Sequence, residues 1–243
     1  MAKASEMIKI IDAGLSDIVN LLKCGEIACL PTDTLFTLTC DATNNEALNN
    51  IFRIKSRDRA KHLPILCSSL EQAMQYGIFS EMALLLAKKF WPGKLTLILP
   101  THGGKGKDSI AIRVPNHGSL LAIMQKLDGP IIGTSANISG NDDQYNIDEI
   151  MTQLRTGWLN RQHGQGGRAI RGPGADEHSD EENNTAIQKH NITLYYCSEL
   201  GQSVEKTQPS TIVDTRHGRA LVVRHGYISE NDIYDTNNAG FNF

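Results

Sequence analysis

Residues 27–34 read Ile27-Ala28-Cys29-Leu30-Pro31-Thr32-Asp33-Thr34, an apolar run that passes through proline into a polar turn. So short a run, bounded by turn residues, predicts a strand. Upstream, Ile11, Leu15, Ile18, Val19 and Leu22 recur at helical spacing within 7–22, and Gly25 supplies a stop. Downstream, Asn44 or Asn45 caps a second helix whose buried stripe is Leu48, Ile51 and Phe52. Lys55 falls seven positions after Leu48 on the same stripe. It either snorkels at the helix end or points into a cleft.

The alternation continues along the chain. Leu63–Cys67 reads as a strand, Met82–Phe90 as a helix ended by Trp91-Pro92-Gly93, and Leu95–Leu99 as a further strand. In 109–114 the period is two: Ile110, Ile112 and Val114 share one face, and Ser109, Ala111 and Arg113 share the other. Ser119 caps a helix over Leu120–Leu127, Asp128-Gly129-Pro130 breaks it, and the strand Ile131-Ile132 runs into the polar turn Gly133-Thr134-Ser135-Ala136-Asn137. Strands alternating with helices over the first 150 residues predict an α/β or α+β fold, a sheet covered by helices.

Organisation changes at Arg155. Between Asn160 and Asn191 apolar residues are few, glycines crowd 164–174, and the acidic run Asp180-Glu181-Glu182 follows. Such a stretch cannot offset its own ordering entropy by burial. Residues 155–207 are therefore expected to be a polar, partly mobile insertion in one domain spanning 1–243, with Gln165–Lys189 dispensable for the fold. Strand-like segments resume at Ile192–Cys197, Thr211–Val213 and Leu221–Arg224.

Composition narrows the class of function. The 243 residues carry 24 Lys+Arg against 27 Asp+Glu, a net charge of −3, which argues against wholesale binding to a phosphate backbone but allows a local basic cleft. No stretch approaches the ~18–20 apolar residues of a membrane span, and 1–9 lacks the apolar centre of a signal peptide. The odd set of five cysteines has no C-x-x-C pair and reads as reduced, buried thiols of a cytoplasmic protein. The eight histidines form neither H-x-x-x-H nor H-E-x-x-H, so no metal site is expected.

Four polar patches each lie where a strand or helix ends, as cleft residues on α/β scaffolds commonly do: Pro31-Thr32-Asp33-Thr34, Lys55-Ser56-Arg57 with Lys61, Ser135-Ala136-Asn137, and Pro209-Ser210-Thr211. Singly, each has a structural reading as a turn, a helix cap or a complement to the helix dipole. Lys55, Arg57 and Lys61 gather three cations at a helix end, and Arg224 adds a fourth from a distant strand. Positioned cations are what the transfer of a phosphate-linked group demands. Arg113 shares a strand face with Ser109, an arrangement suited to a bidentate clamp on a carboxylate.

Taken in order, PTDTLFTLTCDA, IFRIKSRDRAKHL, WPGKLTLILP, IAIRVPNH, IIGTSANISG and PSTIVDTRHGRALVVRHGYIS resemble the YrdC/TsaC family of L-threonylcarbamoyl-AMP synthases, over roughly 8–154 and 208–230. The most specific marks are Lys-x-Arg at Lys55/Arg57 and Ser-x-Asn at Ser135/Asn137. The resemblance implies a twisted mixed sheet flanked by helices around a large, basic, concave cavity. It also implies an enzyme, a nucleotidyltransferase that condenses L-threonine, bicarbonate and ATP, with Mg²⁺ on the phosphates, into threonylcarbamoyl-AMP and pyrophosphate. A partner transferase then carries the threonylcarbamoyl group to tRNA, and RNA contact at the basic cavity is a further expectation.

By that resemblance Lys55, Arg57, Ser135 and Asn137 are catalytic, and Thr34, Arg113, Gly133 and Ser210 hold threonine. Arg57, Lys61, Ser109, Ser135, Asp143 and Arg224 occupy ATP-contacting positions. The chain departs from the family pattern at Phe36, Asp58, His62, Leu66, Asp143 and His225, and it resembles the short form of the family, for which no further C-terminal domain is expected. The alternative reading is a paralogue without turnover that binds RNA or nucleotide in the same cavity. Retention of both motifs favours the enzyme.

Overall fold

The computed structural model describes residues 8–60, 63–102, 108–162 and 192–239. It opens with strand β1 (Lys9–Asp12) and helix α1 (Leu15–Lys23). The helical spacing within 7–22 is thus shared between two elements. Adjacent apolar residues such as Ile10 and Ile11 serve either state, and parallel pairing of Lys9–Asp12 with Thr193–Tyr196 decides for strand. Gly25, at φ +83°, turns the chain out of α1 in a conformation that a side chain would strain.

Strand β2 (Ile27–Pro31) is buried at every position. Ile27 and Cys29 enter the larger core, while Ala28 and Leu30 join the layer beneath α1. A turn leads to β3 (Phe36–Thr39), antiparallel to β2. Thr32 Oγ1 holds that turn: it accepts from the backbone N–H of Thr34 and Leu35 and donates to the Leu35 carbonyl. Helix α2 (Asn45–Lys55) starts on the Asn44 side chain, which accepts from the Ala47 N–H. It ends at Ser56 in the left-handed region, after which the Arg57 N–H returns to the Phe52 carbonyl.

Then follow β4 (Ile65–Leu66), α3 (Leu70–Ala73), α4 (Glu81–Phe90, capped by Ser80), β5 (Leu95–Pro100) and β6 (Ser109–Arg113). Helix α5 spans Gly118–Leu127 and is capped by His117, whose Nδ1 accepts from the Leu120 N–H, two residues earlier than a Ser119 cap would place it. Strands β7 (Ile131–Ile132) and β8 (Thr134–Ser135) flank Gly133. The remaining elements are α6 (Ile147–Gln162), β9 (Thr193–Tyr196), β10 (Thr211–Asp214), β11 (Leu221–Arg224) and α7 (Glu230–Ala239).

The strands form two mixed sheets rather than one, ordered β1-β9-β2-β3-β8 and β11-β10-β5-β6-β4-β7. They meet at one seam, where the Ile132 N–H donates to the Cys40 carbonyl and the Ala42 N–H to the Pro130 carbonyl. The chain crosses between the sheets at Gly133, where an added Cβ would lie 2.4 Å from Leu66 Cγ. Only glycine permits that approach.

The boundary expected at Arg155 lies elsewhere, because α6 runs through it and buries Leu154 and Trp158. Composition there is polar, but Ile150, Leu154 and Trp158 keep a helical stripe on the core. Strand β9 is an interior strand of the first sheet. Of the expected insertion, residues 163–191, and with them the Gln165–Lys189 stretch, lie outside the described residues. Among the described residues no helix is long and apolar enough to cross a membrane.

Candidate active site

Between the two sheets lies a cavity of about 550 Å³. The Thr32–Phe36 turn forms one wall, β5 and β6 form another, and residues from 133–143, 209–212 and Arg224 close the remainder. Three guanidinium groups, Arg57, Arg113 and Arg224, face one carboxylate, Asp143, across the lining. The period-two reading of β6 holds. Ser109, Ala111 and Arg113 line the cavity, while Ile112 is fully buried on the opposite face.

Arg113 is held on three sides. Its Nε donates to the Gly93 carbonyl (2.9 Å), Nη1 to Thr34 Oγ1 (2.9 Å) and Nη2 to Asp33 Oδ1 (2.6 Å). Of the five N–H groups of a guanidinium, two remain for a ligand, enough for a carboxylate. Burial lowers the Arg113 pKa from its ordinary value, and the Asp33 charge and hydrogen bond oppose that. Asp33 Oδ2 is buried without a hydrogen-bond partner, so the carboxylate spends its bonding on this one arginine. The pair also fastens the sheets together, since Asp33 follows β2 and Arg113 closes β6.

On the far wall Arg224 reaches back from β11. Its Nε and Nη2 donate to the Ser210 carbonyl, and Nη2 also donates to Ser210 Oγ at 2.9 Å. Ser210 Oγ is shared with Thr96 Oγ1 on β5. Burial lowers the pKa of both Arg224 and Arg57.

Lys55 does neither of the things expected of it. It is 1% exposed, pointing neither to solvent nor into the cavity. Its Nζ donates to the Asn137 carbonyl (2.8 Å), to Asn137 Oδ1 (2.9 Å) and to the Ser135 carbonyl. A three-oxygen cradle thus takes all three protons of the ammonium. Burial, aided by Arg57, lowers this lysine to about 7, against an opposing pull from Asp143. Below that pH the amine carries the three protons its acceptors require. Asn137 is equally committed: Oδ1 accepts from Lys55 and from Ser135 Oγ (2.8 Å), and Nδ2 donates to the Asn141 carbonyl (2.8 Å) and Asp143 Oδ1 (3.2 Å).

The two motifs therefore divide. Arg57 and Ser135 line the cavity, whereas Lys55 and Asn137 stand behind it and brace the turn that carries Ser135. Thr34, Ser109, Arg113, Gly133, Asp143, Ser210 and Arg224 all line the cavity as well. Lys61 lies outside the described residues. Sequence reasoning passed over Asp33 as the partner of Arg113 and Thr96 as the partner of Ser210. The available signals were a carboxylate directly after a buried strand and a lone hydroxyl in the apolar run 95–99.

A cavity between two mixed sheets, with three guanidinium groups among an otherwise largely apolar lining, defines an α/β protein suited to a small anionic ligand. Residues 20–160, more than half of the chain, match the family model of Sua5, YciO and YrdC, described as telomere recombination, and the chain belongs to that family. A protein of Aliivibrio fischeri named threonylcarbamoyl-AMP synthase is 34% identical over 149 residues, covering 58% of this chain and 80% of the relative.

Two solved structures share the fold. The Sua5 protein of P. abyssi, crystallised with L-threonine, superposes with a TM-score of 0.70 at 22% identity, covering 95% of this chain and 60% of that one. E. coli YciO superposes at 0.66 and 18% identity, covering 94% of this chain and all of its own length. The chain thus spans about three-fifths of the Sua5 protein it matches.

Proposed function

We propose that this chain is an L-threonylcarbamoyl-AMP synthase. The threonine amine captures bicarbonate as a carbamate with loss of water. A carbamate oxygen then attacks the α-phosphorus of ATP, and the bond to the β-phosphate oxygen breaks to release pyrophosphate. The observation that carries this reading is one cavity that joins a carboxylate-type site, Arg113 with Thr34, to two further guanidinium groups, Arg57 and Arg224. The named relative at 34% identity supports the same chemistry.

In this reading Arg113, Thr34 and Ser210 hold threonine, and the Gly133 backbone lines its pocket. Arg57, Arg224 and Ser109 neutralise and orient the triphosphate, with Lys61 assigned by resemblance alone. Charge neutralisation of the leaving pyrophosphate is the main task, because the protein makes no covalent bond to the substrate. Mg²⁺ enters with ATP as part of the substrate. Lys55 and Asn137 act by holding the Ser135 turn. The product passes to a transferase acting on tRNA. An ATP-dependent reaction fits a cytoplasmic protein; Cys24 is exposed, while burial pushes the Cys40 and Cys67 thiols up to about 12.

The deciding experiment supplies ATP, bicarbonate and labelled threonine and measures pyrophosphate together with the adenylate. Threonine-dependent release of both is expected, falling about 100-fold in Arg57→Ala. Nucleotide binding without threonine-dependent pyrophosphate would replace the enzyme with the binding paralogue.

A further inference from the structure

Asp143 carries a carboxylate into a cavity assigned to a triphosphate, where a negative charge is out of place. Its neighbours explain it. The loop after β8 is pinned: the Ser139 N–H donates to the Lys55 carbonyl (2.9 Å), the Ile138 N–H to Gln153 Oε1 (3.0 Å), and Gln153 Nε2 to the Asp142 carbonyl (3.4 Å). That loop delivers Asp143 Oδ1 to the Asn137 amide. Both acceptors of Asn137 Nδ2, the Asn141 carbonyl and a carboxylate oxygen, can only accept. Lys55, on the other side, donates to Asn137 Oδ1 as it does to two backbone carbonyls. The amide therefore has one orientation, and its oxygen faces Lys55 and Ser135.

The consequence falls on Ser135. A hydroxyl has one proton, and here it goes to Asn137 Oδ1 at 2.8 Å. What Ser135 Oγ turns to the cavity is a lone pair.

Resting on the synthase reading above, we propose that Asp143 is a positioning residue that locks the Asn137 amide and thereby presents Ser135 Oγ to the ligand as a hydrogen-bond acceptor. Ser135 then meets a donor group or a metal ion of the ligand, and not an unprotonated phosphate oxygen. Asp143 itself touches no phosphate. Its residual charge is absorbed by Lys55 behind it and Arg224 beside it, and burial raises its pKa.

The test pairs Asp143→Ala with Asp143→Asn, which keeps an acceptor oxygen. In the wild-type protein, nitrogen-resolved NMR should find both Asn137 side-chain amide protons slow to exchange. Asp143→Ala should release one of them, and Asp143→Asn should restore much of its protection. In threonine-dependent pyrophosphate release, Asp143→Ala should lower kcat about tenfold, the effect of losing one hydrogen bond of this kind, with KM for ATP within about threefold. Asp143→Asn should recover most of that loss.

Unchanged Asn137 exchange in Asp143→Ala would overturn the proposal, and so would a raised KM for ATP with kcat intact. A crystal structure with ATP bound that puts a phosphate oxygen within about 3 Å of Ser135 Oγ would overturn the polarity assignment. Absence of any adenylate from the wild-type protein would sink the synthase reading instead, while the exchange measurement would still decide the role of Asp143.

Discussion

Replacing Lys55 separates a framework role from a direct one. In Lys55→Met the chain length is roughly kept and the ammonium is lost. Of its three acceptors, the Ser135 carbonyl keeps the Asn137 N–H and Asn137 Oδ1 keeps the Ser135 hydroxyl. The Asn137 carbonyl loses the Lys55 donor outright. Three charge-assisted bonds are worth gross ~5–9 kcal/mol, but relief from burying the charge returns several of these. The net is governed by the stranded carbonyl, about 1–3 kcal/mol of destabilisation. For a chain of this size that lowers the thermal midpoint by roughly 2–12 °C.

Lys55→Ala opens a cavity as well, adding ~2 kcal/mol or more. Urea unfolding followed by fluorescence of Trp91 and Trp158 reads both variants. The pH dependence provides an independent arm. Folded Lys55 sits near 7 against an ordinary 10.5, so between those values the unfolded chain binds more protons. Wild-type stability should therefore rise with pH from about 7 to 10.5 relative to Lys55→Met and stay parallel to it below 7. Wild-type midpoints in both variants, with turnover lost, would refute the framework role and return Lys55 to the reacting atoms.

Two other substitutions probe the frame. Asp33→Asn keeps an acceptor oxygen for Arg113 Nη2 but removes the charge that balances the buried guanidinium; we expect ~3 kcal/mol lost in urea unfolding, yet tighter threonine carboxylate binding by calorimetry, and a loss of both would contradict the assigned charge balance. Gly133→Ala should fold poorly because the new Cβ meets Leu66, and Leu66→Ala in the same chain should restore much of the midpoint; no rescue would place the strain elsewhere.

Local pattern carried the middle of the chain. The alternation of 109–114 was enough to put Arg113 and Ser109 on the cavity face, because a strand has only two sides. Asn44 announced its helix through side-chain chemistry that acts over three residues. What stayed hidden depends on distant partners. Strand β1 is specified by pairing with residues near 193, and Asp33 has no visible purpose until Arg113 arrives 80 residues later. Lys55 offered two readings from its helix stripe, and its third fate, cradled by Asn137 and Ser135, needed a loop more than 80 residues away. The boundary at Arg155 was misjudged because polar content was weighed above the stripe of Ile150, Leu154 and Trp158.

Strand β9 lies between β1 and β2, although those two are neighbours in sequence and β9 is made some 160 residues after them. As the chain leaves the ribosome, the slot between β1 and β2 has no occupant until residue 196 has emerged. Through that interval β2, apolar at every buried position, presents an unpaired edge, the kind of surface that recruits wrong strands. Closing it brings together segments more than 160 residues apart in sequence, a long-range pairing whose closure entropy slows folding. The yield of active protein is then a matter of timing, set by how fast synthesis reaches β9 and by what shields β2 meanwhile.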